Sequence, residues 1–111
     1  MSETDRERLT HMLDASREAV SFLDGRVCDG FGKDRVTLLA VIKAIEIVGE
    51  AARNVSAEQR SKMAEIPWSK VVGMRNQLSH GYFDWNLDVI WGTVHEDLPL
   101  LIPQLENALR D

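Results

Sequence analysis

Apolar residues recur at steps of three and four along most of this chain, and nowhere do they alternate with a period of two for long enough to build a convincing strand. The pattern is plainest at Leu38, Val41, Ile42, Ile45, Val48, Ala52 and Val55, which turn one broad helical face toward a core. Residues 5–23 repeat it with Leu9, Leu13, Ser16, Val20 and Leu23, widened by Met12 and Ala19. A third stripe, Leu87, Ile90, Val94, Leu98, Leu101, Leu105 and Leu109, runs toward the carboxyl end. Pro99 and Pro103 should bend or divide that last helix, because each lacks the amide donor that the preceding turn needs. Helices this short bury their faces by packing on one another. The expected fold is all-α: an up-and-down four-helix bundle with a short additional helix.

Breakers and caps divide the stripes. Asp24-Gly25 and the run CDGFGKD predict a loop as far as Asp34, which can cap the second helix. Ser56 with Gln59 reads as a capping box for a short helix through about residue 64. Pro67 suits the first turn of a helix over residues 68–80, stopped by Gly81, and Asn86 or Asp84 can start the last helix. Gly49 interrupts the second helix with no turn signal beside it. A missing side chain there permits a close helix contact, at a cost of about 1 kcal/mol relative to alanine.

A chain of 111 residues fits one domain, residues 1–111. The charged start MSETDRERL predicts neither leader nor anchor, and no window supplies the roughly 20 apolar residues that span a bilayer. Cys28, the lone cysteine, has no disulfide partner, which fits a cytoplasmic location and reads most simply as an inert thiol. Thirteen Lys and Arg against eighteen Asp and Glu leave a net charge of -5, which argues against bulk capture of nucleic acid through counterion release. A local nucleic-acid site would need Lys70, Arg75 and nearby cations to form a positive patch against the global field, within one subunit or across two.

Chemistry concentrates in RNQLSHGYF. Arg75 offers a planar fork of donors suited to phosphate oxygens, and His80 is the side chain best able to exchange a proton near neutral pH. In metal-independent RNA cleavage the 2′-hydroxyl attacks its own phosphate, so a proton-transfer group and a charge-stabilising donor suffice. Five helical steps turn a side chain by roughly 140°, so on a regular helix Arg75 and His80 need not touch within one subunit. Asn76 lies four residues before His80 and can orient the imidazole or contact substrate, while Arg75 can meet the histidine of a second chain across a two-fold axis. The sequence leaves open whether His80 acts as acid or base.

Blander roles compete for the same residues. Arg75 and His80 can cap a helix end and pair with acidic neighbours. His11 and His95 read as helix-flank residues, and without paired histidines at ligand spacing neither a metal centre nor a cofactor is expected. Trp68, Trp85 and Trp91 can stack bases, but scattered tryptophans more commonly pack in a core. Glu46 and Glu50, one turn apart, can form a carboxylate pair, face solvent, or bind an arginine from another helix. Tyr82 offers a phenolic oxygen for substrate contact or modification, or simply packs.

Three stretches, AIEIVGEAARNVS, IPWSKVVGMRNQLSHGYF and WGTVHEDLPLLIPQLENAL, give the chain a nearly full-length resemblance to the HepT-like branch of the HEPN superfamily. The central stretch carries an R-x4-H-x-Y signature, which implies that Arg75 and His80 are catalytic and that Tyr82 is a regulated tyrosine. The resemblance implies a HEPN-like helical bundle, commonly homodimeric, acting as the ribonuclease toxin of a type VII toxin–antitoxin pair. It further implies a minimal nucleotidyltransferase antitoxin that uses ATP to place AMP on Tyr82. Two other functions stay in view: a noncatalytic helical adaptor that binds the nucleotidyltransferase and is modified by it, and a nucleotide-binding module, although no glycine-rich phosphate loop is present.

Overall fold

The structure, a computed structural model, describes residues 1–81 and 84–110. In chain order it runs α1 (Glu3–Phe22), α2 (Cys28–Phe31), α3 (Arg35–Arg53), α4 (Ala57–Lys62), α5 (Trp68–Val72), a 3-10 turn (Met74–Gln77), β1 (Ser79–Gly81), β2 (Asp84–Trp85), α6 (Leu87–Gly92), a π turn (Thr93–Asp97) and α7 (Leu98–Leu109). It is a mostly helical, multi-helix fold, with α4 as the expected short addition. Among the described residues no helix is long and apolar enough to cross a membrane.

The apolar stripes pack as their spacing requires. Val41, Ile45, Val48 and Ala52 of α3 are fully buried, and so are Leu9, Met12 and Ala19 of α1, which lies along α3. Leu98, Leu101 and Leu105 of α7 close the other side of α1. The chain starts its helices with polar caps: Ser2 accepts from the amide of Asp5, Asp34 from Thr37, Ser56 from Gln59 and Asn86 from Val89. The expected box at Ser56 is half made, because the Gln59 amide turns toward the Met63 sulfur at 3.3 Å instead of back to the cap.

Three segments differ from the sequence-based expectation. The loop before Asp34 contains one helical turn, α2, whose Phe31 is fully buried. The helix expected over residues 68–80 ends at Val72. Gly73 passes the chain to the 3-10 turn, and two short antiparallel strands follow, pairing Ser79 with Trp85 and Gly81 with Asp84. Val71, Met74 and Leu78 are all buried, so α5 with its 3-10 extension buries residues at the three- and four-residue spacing that a continuous helix would also bury. The last helix divides, as its prolines predict. The π turn sits immediately before Pro99, where the missing amide breaks the regular ladder, whereas Pro103 lies inside α7.

Gly49 makes the close contact that its isolation suggested. A Cβ built there would lie 3.3 Å from the carbonyl oxygen of Val72 and 3.4 Å from that of Val71. Both neighbours are backbone, so a side chain at position 49 would need α3 and the end of α5 to give by a few tenths of an ångström.

A second tie joins α1 to α4 through a carboxylate. Asp5 is buried, and it accepts the backbone N–H of Ser56 at 2.9 Å and its hydroxyl at 2.7 Å. These bonds, the backbone one foremost, hold the Asp5 carboxyl below the usual carboxylate range. A depressed folded-state value contributes stability above the unfolded-state pKa, and that contribution is lost as pH falls through the folded-state value. Asp5→Ala is expected to cost roughly 1.5–3 kcal/mol at neutral pH, measured by urea denaturation. The gap to wild type should narrow as the medium is acidified below pH of about 4.

Candidate active site

Arg75 and His80 stand on different elements, the 3-10 turn and β1, and no hydrogen bond or ion pair joins them among the described residues. Arg75 turns toward α3, where its Nε lies 3.3 Å from Glu46 Oε2. Of the roles open to Glu46, the structure shows the arginine-binding one. Glu50 instead receives the Asn54 amide, at 2.8 Å on its backbone oxygen and 3.5 Å on Oε1. The guanidinium is two-thirds exposed, and an exposed pair of this kind contributes at most about 1 kcal/mol. An incoming phosphate can therefore displace Glu46 at little cost.

His80 is also exposed, and its ring is met on both sides. Asn86 Nδ2 is 3.3 Å from Nε2, and Asp84 Oδ2 is 3.6 Å from Nδ1. The orientation of the Asn86 amide follows from its capping role, in which Oδ1 accepts the Val89 amide at 3.2 Å at the start of α6 and leaves Nδ2 facing the imidazole. Nδ2 can only donate, so in the neutral ring Nε2 carries the lone pair and Nδ1 the proton, beside the Asp84 carboxylate. In that tautomer Nε2 is the acceptor of the Asn86 amide.

The side chain that meets the imidazole is Asn86, not Asn76. Asn76 is exposed and lines, with Arg75, a groove of about 470 Å³ walled by α1 and α3. Lys70, expected beside Arg75, lies elsewhere. It pairs with Asp97 at 3.1 Å and lines a separate hollow with Leu100 and Gln104. Tyr82 lies outside the described residues. The tryptophans are partly buried against the core: Trp68 donates from Nε1 to the Met63 carbonyl at 3.1 Å, and Trp91 stacks on His95 at 3.8 Å. Sequence reasoning allowed Glu46 an arginine partner without identifying Arg75 as that partner, and it missed Asp84 and Asn86 as the imidazole's neighbours. The one available signal was Asn86, whose capping role was legible but whose free amide hydrogens were not followed to a partner.

The fold is a helical bundle with an exposed arginine lining a groove and an exposed imidazole five residues further along the chain. The chain belongs to the Ribonuclease HepT-like family, whose model matches residues 12–108, and ribonuclease is the class of enzyme that this membership assigns. It is similar to a "Putative RNase" of Caldanaerobacter subterraneus subsp. tengcongensis, 34% identical over 97% of this chain and 96% of that protein. It is also similar to a "Probable ribonuclease HepT" of Thermococcus cleftensis, 36% identical over 86% and 90% of the two chains. A "Putative RNase" of Methanocaldococcus jannaschii is 31% identical over 93% of this chain and 85% of that one. No solved structure gives a significant match.

The tautomer of His80 gives the site a direct test. Asn86→Ser retains a capping oxygen but removes the amide donor. Ring nitrogen NMR of the neutral imidazole should show the proton on Nδ1 in the wild type and a gain of the Nε2–H form in the variant. Identical spectra would mean that Asn86 does not orient the ring.

Proposed function

We propose that this chain is a metal-independent endoribonuclease, acting in the cytoplasm as the toxin of a type VII toxin–antitoxin pair. An exposed imidazole and an exposed guanidinium a few residues apart, in a chain of the Ribonuclease HepT-like family, carry the reading, because the two side chains supply proton exchange near neutral pH and a donor for phosphate oxygens. In the reaction a 2′-hydroxyl gives its proton to a base as its oxygen attacks the neighbouring phosphorus. The bond to the 5′-oxygen breaks, that oxygen leaves with a proton, and a 2′,3′-cyclic phosphate remains. His80 performs the proton transfer, its Nε2 released from the Asn86 amide as substrate enters, and Asp84 beside Nδ1 holds the ring in place. Arg75 leaves Glu46 for the phosphate oxygens and stabilises their growing charge. Asn76, on the same groove, positions the substrate. The requirement for a 2′-hydroxyl selects RNA over DNA without base readout.

The protein acts as one domain and as a homodimer, in which the arginine of one subunit can serve the histidine of the other. This arrangement accounts for the absence of any direct Arg75–His80 bond among the described residues. Its partner is a minimal nucleotidyltransferase that consumes ATP and transfers AMP to Tyr82, two residues after His80. The phenolic oxygen attacks the α-phosphorus and displaces pyrophosphate. The resulting phosphodiester adds bulk and negative charge beside the site, both opposed to RNA binding.

Purified wild type should cleave a mixed cellular RNA pool in EDTA and leave cyclic phosphate ends, whereas His80→Ala should lose at least about a hundredfold in rate with unchanged helicity. Cleavage by wild type and variant alike would remove His80 from the mechanism, and cleavage by neither would favour the noncatalytic adaptor. Intact-mass analysis after incubation with the partner and ATP should show AMP addition to wild type and none to Tyr82→Phe, which lacks the oxygen nucleophile.

A further inference from the structure

Five lysines and arginines are tied to carboxylates among the described residues: Arg17, Arg26, Lys62, Lys70 and Arg75. Arg8, Lys43 and Arg53 have no carboxylate within 4.0 Å among the described residues, and all three line the groove that Arg75 enters. Arg8 rises from α1, with its Nε buried and lacking a hydrogen-bond partner. Lys43 and Arg53 mark the two ends of the exposed edge of α3, ten residues or about 15 Å apart. The carboxylates between them are occupied, Glu46 by Arg75 and Glu50 by the Asn54 amide.

The groove therefore holds four lysine and arginine side chains against two glutamates in a chain whose net charge is -5. Lys43 and Arg53 are exposed, and no carboxylate among the described residues lies within 4.0 Å of either, so their charge faces the groove unneutralised. The arrangement is complete only with an anion. A small anion would satisfy one or two of these groups, but the spacing of about 15 Å along α3 requires a ligand that repeats its charge. Residues 76 and 80 are at most about 14 Å apart along the chain, so the groove opens within a few nucleotides of the imidazole.

We propose that this groove is a track for the RNA backbone, in which Arg8, Lys43 and Arg53 contact phosphates on one side of the bond to be cut. The proposal rests on the ribonuclease function and adds to it the path of the strand. Ile47 and Val72, which also line the groove, give the sugars an apolar surface between the cations. The contacts carry no sequence information, so the track tolerates any base order and leaves cleavage preference to groups near His80.

The test is binding of a fully 2′-O-methylated single strand of roughly 12 nucleotides, which cannot be cleaved, followed by fluorescence anisotropy over a range of salt. Lys43→Gln/Arg53→Gln removes two exposed and unpaired charges, and Arg8→Gln is measured separately. Lys62→Gln/Lys70→Gln removes the same net charge away from the groove. The groove double variant should weaken binding about tenfold and lower the slope of log affinity on log salt by about 1.4, at roughly 0.7 per phosphate contact. The distal double variant should retain the wild-type slope. On cleavable RNA of the same length, the loss should fall on KM rather than on kcat.

Equal slopes in the groove and distal variants, alongside normal cleavage by wild type, would overturn the track and leave the ribonuclease function standing. Groove-dependent binding with no cleavage by wild type would uphold the track and sink the ribonuclease function. No RNA binding by wild type would overturn both. Equal, groove-dependent capture of poly-glutamate would also overturn the track and assign the groove to an acidic protein segment.

Discussion

The contact between α3 and the end of α5 sets the position of everything the site contains. Gly49 lets the carbonyls of Val71 and Val72 come within 3.4 Å of where its side chain would begin. One residue later Gly73 ends α5, and the chain turns through Met74–Gln77. Arg75 thereby reaches Glu46, which lies three residues before Gly49 on α3. A Cβ at 49 would ask the Val72 carbonyl to give by a few tenths of an ångström, on the segment that leads into the 3-10 turn. The glycine costs about 1 kcal/mol in helix propensity, and in return the two backbones pack without that adjustment.

Because α3 is buried along one side only, it serves both the core and the groove. Val41, Ile45, Val48 and Ala52 hold it in the bundle. Its opposite edge carries Lys43, Glu46, Glu50 and Arg53 to the groove. The net charge of -5 thus says little about this face. Screening confines most charge interactions in solution to about 8–10 Å, so a ligand in the groove responds chiefly to the side chains that line it. An acidic protein can present a cationic face if its acids are engaged elsewhere, as Asp34 is with Thr37 and Arg26, and Asp97 with Lys70.

The helices were legible because burial and periodicity agree: Leu38 to Ala52 reads as one buried face and is one. The break after Val72 was not, since Val71, Met74 and Leu78 satisfy the core equally in an α-helix and in an α-turn followed by a 3-10 turn. The strands were hidden for a related reason. Three residues and two are too few to show alternation. At the site, Arg75 and His80 stood out by residue type and spacing, but their partners did not. Glu46 is 29 positions from Arg75, and only the packing of α3 against the 3-10 turn brings the two together. Lys70 looked equivalent to Arg75 from five residues away, yet the turn of α5 directs it toward Asp97 instead.

For the proposed reaction, the weakness of these pairs is what makes them useful. Arg75 and both members of the His80–Asp84 pair are largely exposed while Glu46 is half-buried, the pairs standing at 3.3 and 3.6 Å, and solvent-screened pairs are worth about 1 kcal/mol or less. Charge-assisted bonds to a phosphate, strengthened as the strand excludes water, are worth roughly 1.5–3 kcal/mol each. The exchange of Glu46 for substrate is then downhill, whereas a deeply buried pair would resist it, since breaking one costs about 3–5 kcal/mol. Glu46 keeps Arg75 extended over the groove in the empty site and yields it when a phosphate arrives.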